Sequence, residues 1–115
     1  MNRVKIYSLI VEYTSIPLLI GLYISFLTGV GLVDTESVKL LTFGLLDYLQ
    51  SLSIHTNLWL NYIVGLLMVL HSVSGLGLLI DRKIKSRLLK SILEVVVMML
   101  VGVVLTIQFT FLFIL

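Results

Sequence analysis

Few side chains in this 115-residue sequence have the types and spacing that chemistry requires. Cysteine is absent, which excludes disulfides, thiolate metal sites and thiol nucleophiles. No hydrolytic triad, phosphate-binding loop or carboxylate pair is recognisable. The most informative residue is His71, which lies in the middle of the apolar stretch Asn57–Ile80. It is a functional candidate, because placing an ionisable group at that depth in a bilayer costs about 2–3 kcal/mol or more unless a partner compensates.

Two interpretations of His71 remain open from the residues alone. A neutral imidazole in an apolar helix bundle is a suitable axial ligand for haem iron. The alternative is a histidine that only hydrogen-bonds to a neighbouring helix. Ser74 and Gly75 follow one turn later, and these small residues leave room either for a porphyrin or for a closely packed helix.

The second histidine, His55, cannot share an iron with His71 if one helix carries both. Sixteen residues separate them, which on a helix means about 24 Å of rise and a rotation of about 160°. We therefore expect His55 to lie in the outer membrane interface beside Trp59 with a structural role. A haem at His71 with two protein ligands then needs its second ligand from another chain.

Two acidic residues lie near the inner ends of the predicted membrane spans, Glu12 and Glu94. We expect them to pair with basic residues such as Lys90 or Lys5. A role in proton relay is the alternative interpretation.

The composition places these residues in a membrane. Hydrophobic residues make up 59% of the chain and charged residues 12%, against about 25% charged in soluble domains. A soluble enzyme is therefore excluded unless most of its surface contacts something other than water. Three uncharged stretches reach the roughly 20 residues that a span requires, and backbone groups in hydrocarbon must be satisfied within the segment. The sequence predicts an all-α integral membrane protein, a single domain over residues 1–115 with three transmembrane helices at about residues 10–33, 57–80 and 92–115.

The basic residues predict the orientation of these helices. Arg3 and Lys5 precede the first span. Five more basic residues lie between the second and third spans: Arg82, Lys83, Lys85, Arg87 and Lys90. By the positive-inside rule both segments face the cytoplasm or the mitochondrial matrix, so the N-terminus is inside and the C-terminus outside. The net charge of +2 is too small to suggest a nucleic-acid partner.

Two further patterns concern packing. Apolar residues recur at helical spacing between the first two spans and predict a short amphipathic helix on the outer membrane surface; they are Val38, Leu41, Leu45, Leu49 and Leu52. On the first span, small residues repeat every four positions and predict a ridge that contacts another helix, in this chain or in a partner; they are Gly21, Ser25 and Gly29.

The segment from His71 to Asp81, His-Ser-Val-Ser-Gly-Leu-Gly-Leu-Leu-Ile-Asp, has the form H-x3-G-x5-D at the inner end of the second span. It resembles the membrane-anchor subunits of succinate dehydrogenase. The length of the chain, its three spans, its inner N-terminus and its basic inner loop most resemble the smaller of the two anchors. The Ser-x-x-x-Arg element of the larger anchor is absent.

This resemblance implies cofactors and partners. Two three-helix anchors hold a haem b between them, with His71 as one axial ligand and the second anchor subunit supplying the other. Asp81 lies near the ubiquinone pocket, where the iron–sulfur subunit docks, and Arg82 stands where the family usually has a quinone-binding tyrosine. The expected function is a non-catalytic subunit that attaches the flavoprotein and iron–sulfur subunits to the lipid bilayer. That bilayer is the mitochondrial inner membrane or a prokaryotic cytoplasmic membrane.

Two alternatives remain. One is a cytochrome b electron-transfer subunit of another respiratory complex, although such subunits usually have four or more helices and several histidines. The other is a haem-free structural subunit of a respiratory complex in which His71 is merely packed.

The orientation is tested by a cysteine at Ser86, in the predicted inner loop. We expect Ser86→Cys to react with a membrane-impermeant maleimide only when the inner face of the membrane is accessible. Ser37→Cys, in the predicted outer segment, is the matched control and should react from the opposite side. Labelling of Ser86→Cys from the outer side of sealed vesicles would contradict the predicted orientation.

Overall fold

The structure of the chain, a computed structural model, describes residues 2–114, and this range contains helices and turns but no strand. The described residues form six α-helices in chain order: α1 Arg3–Val33, α2 Thr35–Leu41, α3 Tyr48–His55, α4 Leu58–Lys83, α5 Arg87–Val97 and α6 Leu105–Ile114. A π-helical segment, Met98–Val104, joins α5 to α6.

Within residues 2–114, three helices are long and apolar enough to cross a membrane: α1, α4 and the continuous helix Arg87–Ile114 formed by α5, the π-helical segment and α6. The prediction of an all-α chain with three candidate spans is thereby confirmed, while the direction of insertion stays a prediction. The helices are longer than the apolar stretches. Helix α1 begins at Arg3 because the side chain of Asn2 accepts a hydrogen bond from the Val4 amide, which caps its first turn.

The connection between α1 and α4 contains two short helices rather than one. Phe43 and Gly44 both have positive φ, 56° and 84° respectively, and end the helical pattern after α2. The pattern resumes at Asp47, whose side chain and that of Gln50 form a reciprocal capping box at the start of α3. The single amphipathic helix expected over residues 38–52 is therefore interrupted. That this region lies on the outer membrane surface stays a prediction.

Small and polar residues bring α1 close to its neighbours. The buried residues of α1 follow a spacing of three, four or seven: Thr14, Leu18, Gly21, Thr28 and Gly31. A methyl group built on Gly21 would lie 2.7 Å from Cγ2 of Val64 in α4, and one built on Gly29 would lie 3.0 Å from the ring of His55. The predicted ridge of small residues thus contacts helices of this same chain. The close approach requires residues without side chains.

The third long helix packs against α4. The ring of Phe109 covers Gly65, where a methyl group would lie 2.8 Å from Phe109 Cδ2. Nearby, the hydroxyls of Tyr62 and Thr110 lie 2.9 Å apart. None of the described residues of α5, the π-helical segment or α6 is buried by the chain. Much of this helix is therefore available to lipid or to another protein.

The contact at Gly21 generates a stability prediction. We expect Gly21→Leu to lower the free energy of unfolding of the chain in detergent by about 1–3 kcal/mol, and with it the melting temperature. The reason is that the new side chain must push α1 away from Val64. Gly75→Leu is the matched control, since nothing lies within 4 Å of a methyl group at that position. Equal melting temperatures for the two variants would show that the α1–α4 contact does not depend on Gly21.

Candidate functional site

His71 lies on α4 and forms a hydrogen bond with α1. Its Nδ1 is 2.9 Å from Oγ1 of Thr14. Thr14 is only 7% exposed, so this contact lies inside the α1–α4 interface. The same hydroxyl lies 2.6 Å from the carbonyl oxygen of Ile10, one turn earlier on α1.

The tautomer of His71 follows from counting protons. The Thr14 hydroxyl has one proton, and two oxygens 2.6 Å apart require a proton between them, so this hydroxyl donates to the Ile10 carbonyl. The hydroxyl oxygen then accepts, and His71 Nδ1–H is the donor. A neutral imidazole has one N–H, so Nε2 keeps its lone pair. No hydrogen bond to Nε2 occurs within residues 2–114. His71 therefore offers the nitrogen that an iron ligand requires.

The small residues that follow His71 on α4 differ in how closely the rest of the chain covers them. Ser74 is buried, and a methyl group built on Gly77 would lie 2.6 Å from the ring of Tyr7. Gly75, one turn after His71, has nothing within 4 Å of such a methyl group. Ser74 and Gly77 thus serve helix packing, whereas Gly75 leaves the helix surface uncovered one turn after the histidine. A free ring nitrogen on His71 and an uncovered helix surface one turn away are compatible with one half of a haem site.

His55 is tied to the other end of α1. It is the last residue of α3, and its Nδ1 lies 3.1 Å from the carbonyl oxygen of Ser25 and 3.2 Å from Oγ1 of Thr28. Its ring fits over Gly29. These contacts support the structural role that the sequence predicted. Trp59, the expected neighbour of His55, packs against Phe113 with ring centroids 4.6 Å apart.

The two histidines are held far apart. Their threonine partners, Thr14 and Thr28, are 14 residues apart on α1, which corresponds to about 21 Å of helical rise. The chain does not run as one helix from His55 to His71, since α3 ends at His55 and α4 begins at Leu58. The conclusion from the spacing nevertheless holds, and one iron cannot bind both rings. Within residues 2–114, no group of three or more His, Asp or Glu side chains is placed to hold a metal ion.

The candidate quinone residues lie at the predicted inner end of α4. The Lys90 ammonium donates to Oδ1 of Asp81 at 3.3 Å, and both side chains are partly exposed. Arg82 is exposed. The Asp81 carboxylate is therefore engaged across the short connection to α5 by Lys90, and not by the adjacent Arg82.

Glu94 closes the same end of the bundle. Its carboxylate accepts a hydrogen bond from the Arg3 guanidinium at 2.7 Å and one from the Tyr7 hydroxyl at 3.3 Å. The expected pairing with a basic residue is confirmed for Glu94, but its partner is Arg3 and not Lys90 or Lys5, because Lys90 binds Asp81. The reason is that α1 begins at Arg3, which brings this residue beside α5. Glu12 is exposed on α1.

An open cleft of about 460 Å³ lies between α1, α4 and α6 at the opposite end of the bundle. Its walls include Ser25, Tyr62, Phe109 and Phe113, and neither His71 nor Asp81 nor Arg82 lines it. The cleft is therefore separate from the residues that the sequence singled out.

Sequence reasoning missed the threonines. Thr14 and Thr28 flank the small residue Gly21 at separations of seven residues, and this repeat was a signal that they lie on the same contact face of α1. Tyr7 lies a further seven residues before Thr14 and also contacts α4, at Gly77.

Comparisons with protein-family models, with curated proteins and with solved structures found no match to this chain. The assignment of function therefore depends on the sequence pattern and on the geometry around His71.

Proposed function

We propose that this chain is a membrane-anchor subunit of a succinate:quinone oxidoreductase, in which His71 supplies one axial ligand to a haem b shared with a second anchor subunit. One observation carries the proposal: Thr14 binds His71 through Nδ1 and leaves Nε2 with a free lone pair, and the helix surface one turn later, at Gly75, is uncovered. The H-x3-G-x5-D segment, which resembles the anchor family, supports the same assignment.

The helices provide what a shared cofactor site requires of one subunit. A haem, when bound there, accepts and donates single electrons within the membrane. The α1–α4 interface holds the histidine ring on one side, through a threonine that is itself buried. The surface of α4 at Gly75, one turn after His71 on the same side of the helix, is uncovered, and in the proposal the second ligand comes from a different chain. The exposed third helix offers further surface for such a partner.

The basic end of the bundle supports the attachment of soluble subunits. Exposed cationic side chains crowd the connection between α4 and α5: Arg82, Lys83, Lys85 and Arg87. In the proposal, this end faces the iron–sulfur and flavoprotein subunits and borders the ubiquinone site. Because Asp81 is engaged by Lys90, Arg82 remains the candidate donor to a quinone carbonyl oxygen.

A haem-free structural subunit of a respiratory complex is the second candidate, and one observation favours it. The hydrogen bond to Thr14 gives His71 a partner within the chain, so a packed histidine needs no metal to be tolerated in the interface. A cytochrome b subunit of another respiratory complex shares the histidine chemistry and differs in its partners.

These candidates are separated by purifying the chain from its native membrane in mild detergent. We expect a flavin-containing partner to co-purify, together with a reduced-minus-oxidised haem b spectrum. His71→Ala should abolish the spectrum by removing the ligand nitrogen, and His55→Ala is the matched control that should retain it. A haem spectrum that survives His71→Ala would contradict the ligand assignment, and co-purification without haem or flavin would favour the structural subunit.

The quinone assignment predicts a selective loss in Arg82→Ala. Quinone reductase activity of the complex should fall, while succinate oxidation with a soluble artificial acceptor persists, because only the quinone contact is removed. Lys83→Ala is the control for a general loss of positive charge at this helix end. Wild-type quinone reductase activity in an intact Arg82→Ala complex would show that Arg82 is not a quinone ligand.

A further inference from the structure

We infer that Thr14 is a positioning residue for His71: it fixes the imidazole as the Nδ1–H tautomer and thereby keeps Nε2 available to a metal. The consequences for haem rest on the proposed function. The tautomer itself does not, because it follows from distances within this chain.

The Thr14 hydroxyl fixes the tautomer because its own proton is committed. Donation to the Ile10 carbonyl at 2.6 Å leaves only acceptor capacity towards His71. Without that oxygen, Nδ1–H would face an apolar interface with no acceptor from Thr14. The ring would then be free to place its proton on Nε2, where it blocks coordination. Hydrogen bonds of this type orient ligating histidines and raise their basicity, and their removal typically costs 10–100-fold in metal affinity.

The chain contains a matched threonine–histidine pair that lacks this dependence. Thr28 donates to the Ile24 carbonyl at 2.8 Å and lies 3.2 Å from Nδ1 of His55. His55 Nδ1, however, also lies 3.1 Å from the carbonyl oxygen of Ser25, which can only accept. The Nδ1–H tautomer of His55 is therefore held by Ser25 even when the Thr28 hydroxyl is removed. Thr28→Val is for this reason a control with the same chemical change, on the same helix, at a buried site.

The first experiment measures the tautomers directly in the full-length chain without haem. In chain labelled with ¹⁵N-histidine, we expect His71 to show a protonated Nδ1 and a bare Nε2. Thr14→Val should convert a measurable fraction to the Nε2–H form, Thr14→Ser should restore the wild-type pattern, and His55 should not change in either variant. In Thr28→Val, both histidines should keep the Nδ1–H form.

The inference is overturned if wild-type His71 carries its proton on Nε2, or if Thr14→Val leaves the His71 resonances unchanged. The wild-type measurement decides the first point even if Thr14→Val does not fold. Retention of the wild-type pattern in Thr14→Ser supports the role of the hydroxyl.

The second experiment uses the haem-loaded complex. We expect Thr14→Val to weaken haem binding 10–100-fold and to raise the midpoint potential, because a less basic imidazole stabilises ferric iron less. Thr14→Ser and Thr28→Val should match the wild type in both quantities. Wild-type affinity and potential in Thr14→Val would overturn the positioning role. If the wild-type complex contains no haem, the proposed function fails, and the tautomer measurement still decides the role of Thr14.

Discussion

Polar groups inside a bilayer must find their partners within the protein, and this constraint explains the contact between α1 and its neighbours. Thr14 and Thr28 each donate to a carbonyl one turn earlier on α1 and each lie within hydrogen-bond distance of a histidine on another element. Each threonine hydroxyl thus has a hydrogen-bond acceptor on α1 and also links α1 to a second helix. Among residues 2–114, Ser51 is the exception, since its buried Oγ has no hydrogen-bond partner there and lies where α3 crosses Gly31.

The rest of the bundle follows from α4 lying between α1 and the third long helix. At one end, Glu94 joins this helix to α1 through Arg3 and Tyr7. At the other end, aromatic packing joins it to α4, where the rings of Tyr62 and Phe113 stack with centroids 4.7 Å apart. Between these ends, α4 is covered by α1 at Gly77 and is open at Gly75. The same helix can therefore hold a histidine against α1 and leave open space one turn away.

The sequence predicted the features that depend on composition along the chain and missed those that depend on register between helices. Apolar length was enough to find the three candidate spans, and the spacing of Gly21 and Gly29 was enough to predict a contact face. The pairing of Thr14 with His71 depends on the axial position of α4 relative to α1, which the periodicity of the sequence does not determine. The pairing of Arg3 with Glu94 depends on the same register.

The break at Phe43 and Gly44 was missed because leucines at helical spacing continue across it, although the glycine was a local signal for a positive φ.

Under the proposed function, this chain supplies one nitrogen, and only one, to a haem iron. The most direct measurement is pulsed electron paramagnetic resonance of the oxidised complex, assembled from this chain labelled with ¹⁵N-histidine and from unlabelled partners. We expect the ferric iron to couple to the coordinating nitrogen of a single ¹⁵N-labelled imidazole, with the opposite axial ligand unlabelled. Absence of ¹⁵N coupling, or coupling to two labelled imidazoles, would contradict it.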